Sequence, residues 1–563
     1  MAEQPNVVVF LTDDQGWGDL SLHGNTDLST PHIDSLARDG AQFTHFYVCP
    51  VCSPTRAEFL TGRHHPRSGV YSTSAGGERM NLDEMTIANA FQDAGYATGA
   101  FGKWHNGMQF PYHPNGRGFQ EFYGFCSGHW GDYFSPPLEH NGALVQGEGF
   151  VVDDFTSKAI EFIRENQENP FFVYLPYNTP HSPMQVPDKY WDRFKSKTLD
   201  LQYREPNKED DLHKRCALAM CENIDDNVGR ILAALDELSL AENTIVLFFH
   251  DNGPNGWRWN GGMKGRKGST DEGGVRSPLL LRWPASVAPG TIIRPIASVR
   301  DLLPTLTDLA GISFSPEKPL DGISLRPLLE NPGNNTWTER TLVSHWKGKT
   351  SARNQRFRLG HQGQLFDLLK DPYQQINVAA EHPSVVNALS SAIDTYRADV
   401  ASLLGEDTRT FPIAHPEFPH TQIPARDGLA HGGIKRSNKF PNCSYFQNWT
   451  SLDDKITWEV DVLSEGEFQV DLQYACPDAD AGSAFALTLG DSILRFSLEA
   501  HDVPERGAEN DRSPRSESYV KDFRTVTLGT LALKQGPDTL TLQATEIPGE
   551  TAMEFRLLQL TRL

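Results

Sequence analysis

The 563-residue chain has no hydrophobic run long enough to cross a bilayer, which takes about 20 consecutive apolar residues. No leader pattern is readable either. Met1-Ala2-Glu3-Gln4-Pro5 runs directly into an apolar strand, without a basic segment, an apolar stretch and a small-residue cleavage site. The expectation is a chain without a membrane span, its compartment left open because a trimmed leader gives the same pattern. Positive charge is in short supply: 51 Lys and Arg face 73 Asp and Glu, a formal net charge of −22. That excludes a general nucleic-acid or polyanion surface, so an anionic substrate would have to be drawn by a local group of cations. Cysteines are few, odd in number and irregularly spaced, and the seven give neither a disulfide framework nor a zinc pattern. Internal repeats and low-complexity tracts are absent, and the sequence leaves the oligomeric state open.

What is present is an ordinary globular composition, long enough for two or three domains. Asn6-Val7-Val8-Val9-Phe10-Leu11-Thr12 is a continuous apolar run, as expected of a strand buried on both faces, and it ends in Asp13-Asp14-Gln15-Gly16. Strands expected at 41–48, 96–101, 171–177 and 244–249 also end in polar tips: the loop before Cys52, Gly102-Lys103-Trp104-His105, Asn178-Thr179-Pro180-His181, and His250-Asp251-Asn252. Helices are expected from Thr30 to Gly40 and over 82–94, 150–166, 215–238, 299–310 and 383–404. Strand, polar tip and helix in repeated order predict a doubly wound α/β domain with a mostly parallel sheet, whose ligands bind beyond the strands' carboxyl ends. This domain is expected over 1–335, with a small subdomain over 336–410 and a proline-rich linker over 411–428. Period-two alternation at Ile456, Trp458, Val460 and Val462, and again at Phe468, Val470, Leu472 and Tyr474, predicts an antiparallel β-sandwich over 429–563.

Cys52-Ser53-Pro54-Thr55-Arg56-Ala57-Glu58-Phe59-Leu60-Thr61-Gly62-Arg63 reads as a helix, with Ser53 as N-cap, Pro54 at the first position and Gly62 closing the end. Cys52 then stands at the positive end of the helix dipole with Arg56 one turn further in. Such a place suits an anion, or a nucleophile that gains negative charge. A small buried structural cysteine is the alternative.

Cys-x-Pro-x-Arg followed by Leu-Thr-Gly-Arg resembles the signature of the type I, formylglycine-dependent sulfatases of the alkaline-phosphatase-like superfamily, with Thr55 where many members carry Ser. The tips named above, Pro180-His181-Ser182-Pro183 and the segment Lys267 to Arg276 occur in the family's order, so the resemblance runs from about Pro5 to Ala380. It implies that a maturation enzyme oxidises Cys52 to formylglycine. It also implies one divalent cation, calcium with magnesium open, held by Asp13, Asp14, Asp251, Asn252 and the modified residue 52. In that scheme Arg56 orients the formylglycine, and Lys103 holds its hydrate and the sulfate. His105 removes a proton from the hydrate as sulfate leaves. His181 lies near the leaving oxygen and Lys267 on the sulfate, and either would be the general acid. Glu272 and Arg276 are expected to be structural.

Two segments between the motifs combine aromatic and polar groups that suit sugar rings: one holds His129 and Trp130, the other Trp257 and Arg258. They are candidate substrate contacts, with core packing as the alternative. Together with a tail of the kind that resembles carbohydrate-binding modules, they favour a sulfated oligo- or polysaccharide as substrate and sulfate ester hydrolysis as reaction. The competing readings are a phosphonate monoester or phosphodiester hydrolase of the same superfamily and a catalytically silent carbohydrate-binding protein.

Overall fold

A computed structural model describes residues 4–333 and 337–563. Met1 to Glu3 and the expected boundary at 335/336 lie outside the described residues. Among those described, no helix is long and apolar enough to cross a membrane.

An apolar run is stable as a strand only where both of its faces are covered. β1 (Asn6–Thr12), buried at every position, runs through the middle of an eleven-stranded sheet. The other strands are β2 (Ala41–Tyr47), β3 (Ala97–Lys103), β4 (Glu121–Phe125), β5 (Pro137–His140), β6 (Ala143–Gln146), β7 (Phe171–Pro176), β8 (Thr244–His250), β9 (Arg276–Arg282), β10 (Thr291–Ile293) and β11 (Ala297–Ser298). Their order is β10-β2-β9-β8-β1-β7-β3-β4-β5-β6, with β11 also pairing with β2. The central strands β8, β1, β7, β3 and β4 are all parallel. Side chains alternate across β1, so Val7, Val9 and Leu11 enter one core while Val8 and Phe10 enter another. Helices Cys52–Thr61, Ile87–Asp93 and Leu302–Leu309 cover the first face; Pro31–Arg38, Val151–Glu165 and Asp211–Glu237 cover the second. This is the expected doubly wound α/β architecture with a mixed, mostly parallel sheet.

The topology also decides which tips can meet. β9 is antiparallel to both β8 and β2, so β2 recovers the direction of β8. The carboxyl ends of β1, β2, β3, β7 and β8 therefore share one edge with the amino end of β9. That edge receives the Asp13, Cys52, Lys103, His181, Asp251 and Lys267 segments.

Local chemistry moves several helix ends. The helix expected from residue 82 starts at Ile87, because Thr86 and Asn89 form a reciprocal capping box (both bonds 3.1 Å) that leaves Leu82 outside and 45% exposed. The helix expected from 215 starts at Asp211, since the Asp210 carboxylate accepts the His213 N–H at 3.1 Å. The helix from Pro383 stops at Asp399, and a separate turn covers Ala401–Leu403.

A four-stranded antiparallel sheet (Leu342–Trp346, Lys349–Arg353, Phe357–Leu359, Leu365–Asp367) follows, packed against helix Pro383–Asp399. Buried Glu272 ties it to the central sheet: its carboxylate accepts from Tyr47 Oη (2.9 Å), Arg358 Nε (2.8 Å) and Arg353 Nη1 (3.4 Å). Removing one partner of such a network strands the buried charges that remain. Glu272→Ala is expected to cost about 3–5 kcal/mol, read as a lower denaturation midpoint, with Glu272→Gln falling between it and the native protein.

Two six-stranded, mostly antiparallel sheets complete the chain around one core that includes Trp449, Trp458, Val470, Leu472, Leu542 and Leu558. The stretch 411–428, read above as a linker, instead supplies strands to both sheets. Phe411–Ile413 pairs with Lys455–Val462, and His420–Pro424 pairs with Glu554–Arg562. Proline is tolerated on edge strands, where its missing N–H removes no ladder bond, so edge strand and linker share one composition.

Candidate active site

The helix that carries Cys52 begins two residues earlier than Ser53 capping predicts. Val51 is the extended N-cap, Cys52 the first helical residue, and Ser53 and Pro54 complete the first turn, where N–H groups have no helical partner and proline is harmless. All ten residues of this helix are buried, and Gly62 closes it at φ 66°. Cys52 thus lies at the positive helix end, 4% exposed. Its Sγ and carboxylate oxygens of Asp13 and Asp251 lie within 4.8 Å of one another.

Hydrogen bonds fix the surroundings. Arg56, fully buried, donates through Nη2 to Asp251 Oδ2 (3.0 Å) and through Nη1 to the Lys103 carbonyl (2.9 Å). Lys103 Nζ donates to Asp13 Oδ2. Lys267 Nζ meets Asp14 Oδ1 at 2.7 Å and Oδ2 at 2.9 Å. The Asp14 N–H reaches Asp251 Oδ1 (3.1 Å), and Asn252 Nδ2 reaches Asp14 Oδ1 (2.8 Å). Asp14 and His105 both adopt left-handed backbone, φ 65° and 66°, a strain that concentrates at functional sites.

Burial works against both aspartates of the β1 tip, yet Lys103, His181, Arg56 and Lys267 hold Asp13 far below the usual carboxylate range. Asp14 is lowered against the same burial by Lys267 and His181. Asp251 is pushed up to about 7 by burial and by Asp13 beside it. Burial, then Lys103, pushes His105 well below the ordinary histidine range, so its ring is neutral. Its Nε2 faces the Thr73 carbonyl at 2.8 Å and must carry the proton. The lone pair is therefore on Nδ1, buried and without a hydrogen-bond partner among the described residues. His181 is fixed in the opposite sense: Nδ1 donates to the Ser182 carbonyl (2.8 Å) and Nε2 faces Asp14 Oδ2 at 3.6 Å.

The donor set fits a hard divalent cation. Asp13, Asp14, Asp251 and Asn252 offer oxygen, and among the described residues Asp13 Oδ1 and Asn252 Oδ1 are buried without a hydrogen-bond partner. Buried polar atoms are rarely left so, and oxygen ligands of this kind suit calcium or magnesium. All seven cysteines are buried and free, so Cys52 is not committed to a disulfide.

The candidate sugar contacts separate. His129 is at the site, its ring stacked on His181 at 5.6 Å. Trp130 turns away onto Phe125 (5.0 Å), donates to the Pro137 carbonyl (3.0 Å) and lines a cavity of about 620 Å³ between the central sheet and the C-terminal β domain. Trp257 packs on Tyr203 at 4.7 Å and lies under Lys208 and Arg266. Arg258 is a correction. It is 2% exposed, grips Asp19 through Nε (2.9 Å) and Nη2 (2.6 Å), and donates to the Asp14 carbonyl (2.9 Å), so it buttresses the β1 tip rather than facing a substrate.

Other residues at the site received no role from the sequence. Thr55 Oγ1 donates to the Asp251 carbonyl at 2.5 Å. Asn178 is buried with neither amide atom partnered among the described residues. Asn442 and Glu517, from the C-terminal domain, reach Thr73 and Ser182. The bracing role expected of Glu272 and Arg276 matches their surroundings, Arg276 donating to the Thr44 carbonyl (2.8 Å) and lying over Trp17.

The Sulfatase family model matches residues 5–312, and the model for N-sulphoglucosamine sulphohydrolase, C-terminal, matches residues 267–399. N-acetylgalactosamine-6-sulfatase of Mus musculus is 31% identical over 363 residues, which cover 58% of this chain and 66% of the relative. Steryl-sulfatase of Mus musculus is 31% identical over 439 residues, covering 61% and 67%. The chain thus spans just under two thirds of the length of the first of these relatives. Among solved structures, Ps i-CgsB in complex with k-i-k-neocarrahexaose superposes with a TM-score of 0.64 at 30% identity, covering 71% of this chain and 94% of that one. The phosphonate monoester hydrolase of Agrobacterium radiobacter, at 22% identity and a TM-score of 0.54 over 70% of this chain and 96% of that one, shares the fold alone. With the family's model matched over more than half of its length, the chain belongs to the sulfatase family.

Proposed function

We propose that this chain hydrolyses sulfate esters of a sulfated oligo- or polysaccharide and releases inorganic sulfate. Formylglycine made from Cys52 by a separate maturation enzyme, and one calcium ion held by Asp13, Asp14, Asp251, Asn252 and residue 52, complete the site in this reading. The observation that carries it is the meeting of Cys52 with Asp13 and Asp251, ringed by Lys103, His105, His181 and Lys267. When present, those groups would supply a hydrated aldehyde as nucleophile and a hard Lewis acid for the sulfuryl oxygens.

The chain's own residues do the rest. Arg56 locks Asp251 and the Lys103 carbonyl with a planar fork that a lysine does not reproduce. Lys103 and Lys267 hold sulfuryl oxygens; a preorganised donor of this kind contributes roughly 10²–10³ in rate. His105 keeps its free lone pair at Nδ1 and takes up a proton there. His181 acts as the imidazolium: Nδ1–H stays on the Ser182 carbonyl, the second proton sits on Nε2 beside Asp14, and that proton passes to the departing sugar oxygen. The saccharide draws support from two similar proteins, one named for N-acetylgalactosamine 6-sulfate and one bound to a neocarrahexaose.

The test uses protein produced together with a formylglycine-generating enzyme. Sulfated oligosaccharides are assayed beside phosphodiesters and phosphonate monoesters, and the peptide containing residue 52 is weighed. Sulfate release together with the aldehyde mass is expected. Faster turnover of the phosphorus esters would transfer the reading to a hydrolase of the same fold. Glycan binding without any turnover by modified, calcium-loaded protein would overturn the enzyme altogether.

A further inference from the structure

The C-terminal β domain lies outside the residues matched by the family models, yet it approaches the candidate site from two sides. On one side Asn442 Nδ2 donates to the Thr73 carbonyl (3.2 Å), the same atom that receives His105 Nε2, and the Asn442 carbonyl accepts from Ser127 Oγ (2.7 Å). Gly128 fits between them because it has no side chain: a Cβ there would collide with His105 Nε2 and Asn442 Nδ2.

On the other side runs the segment 505–521. It is pinned by Met184 N to Asp511 Oδ1 (3.0 Å), Arg512 N to the Met184 carbonyl (2.9 Å), Gln185 Nε2 to the Gly507 carbonyl (2.8 Å) and Ser513 Oγ to Asp210 Oδ2 (3.2 Å). Within it, Glu517 Oε2 accepts from Ser182 Oγ (3.3 Å), next in the chain to His181. Arg515 Nη1 donates to the carbonyl of Trp130 (3.0 Å), next to His129, and Nη2 reaches Cys443 Sγ (3.5 Å).

Charge sets Arg515 apart. Each cation around Cys52 is already matched by a carboxylate: Arg56 by Asp251, Lys103 by Asp13, Lys267 by Asp14. Arg515 has a backbone carbonyl, a thiol and the face of the Tyr519 ring at 5.1 Å, and among the described residues it forms no ion pair with a carboxylate. Its charge nonetheless reaches the His129 ring, stacked on His181. In a chain of net charge −22, a guanidinium strapped beside the site, with Asp511 in its field but no carboxylate in direct contact, is fitted to receive an oxyanion from the substrate. A planar fork recognises an oxyanion bidentately, which a lysine does not.

We propose that Arg515 is a specificity-determining residue: the C-terminal domain completes the substrate pocket, and Arg515 binds a second oxyanion on the saccharide that carries the scissile sulfate. This rests on the sulfatase reading above. The second oxyanion is a neighbouring sulfate or a uronate carboxylate, groups that share the geometry the fork requires.

The experiment compares three oligosaccharides with the same scissile sulfate and, beside it, a second sulfate, a uronate or neither. The modified full-length enzyme is assayed with Arg515, Arg515→Gln and Arg515→Lys. Gln retains a donor for the Trp130 carbonyl and so separates recognition from bracing; unfolding midpoints check that both variants fold. Arg515→Gln is expected to raise KM for one doubly anionic substrate by about ten- to a hundredfold relative to the singly sulfated one, with the effect in KM rather than kcat, and Lys is expected to restore only part. The substrate that suffers identifies the oxyanion. Equal loss on all three, or loss on none, overturns the proposal. Calorimetric binding of the same oligosaccharides to Cys52→Ala protein, with and without Arg515→Gln, makes the comparison without turnover. An enzyme that releases no sulfate while this binding preference persists would sink the sulfatase reading and leave the assignment of Arg515 standing. Absence of the preference would sink the assignment.

Discussion

Cys52→Ala protein is expected to fold normally and to lose turnover by on the order of 10⁴-fold or more, the scale seen when an enzyme's nucleophile is removed. Alanine is a good helix former, and the first helical position is capped by backbone geometry at Val51 rather than by the Cys52 side chain, so the helix has no reason to move. Arg56, Asp251 and the Lys103 carbonyl remain bonded to one another without any help from Sγ. What disappears is the thiol that allows Cβ to be oxidised to an aldehyde, whose hydrate would supply the nucleophilic oxygen. Cys52→Ser sharpens the test: a serine offers one hydroxyl and no second one through which to expel sulfate, so it is expected to react at most once. Sulfate release over many turnovers, mass spectrometry of the residue-52 peptide and the unfolding midpoint are the readouts. Sustained turnover by Cys52→Ala on any sulfate ester would end the proposal that residue 52 is the nucleophile.

The candidate site was legible in the sequence where function sits at the end of a strongly patterned strand. β1 is apolar at nearly every position because it is covered on both faces, and Asp13 and Asp14 follow at once. The same holds for β8 and Asp251, and for β3 and Lys103. Parallel pairing then carries these tips to one edge with no further information needed. Capping chemistry misplaced the start of the Cys52 helix by two residues, since complete burial of that helix outweighs a local Ser-Pro preference. Arg258 was misassigned because its partner Asp19 is 239 residues away, and composition cannot tell an arginine that stacks on sugar from one that braces a turn. Residues 411–428 share their proline content with true linkers, and only their strand partners, far along the chain, distinguish them. Arg515 and Glu517 had no local signal at all. They matter through contacts with Trp130 and Ser182 that no motif records.

The general acid is the role for which sequence offered two candidates, and we assign it to His181 from the way the two are bonded. Lys267 is gripped by both oxygens of Asp14, at 2.7 and 2.9 Å, a geometry that fixes a positive charge in place and suits a group that holds sulfate. His181 has Nδ1 committed to the Ser182 carbonyl and Nε2 facing the pocket, so a proton on Nε2 has somewhere to go. The assignment predicts an effect that depends on the leaving group. A sugar alkoxide departs badly without a proton, whereas a nitrophenolate departs well unaided. His181→Ala is therefore expected to lower kcat on a sulfated saccharide by about 10²–10⁴-fold while a nitrophenyl sulfate loses far less. Lys267→Ala, which removes a donor from the sulfuryl oxygens, is expected to cost about 10²–10³-fold on both substrates alike. Steady-state kcat for the two esters across the two variants decides the matter. If His181→Ala impaired both esters equally, or Lys267→Ala spared the aryl ester, the proton would come from Lys267, and the imidazole would only help to shape the pocket.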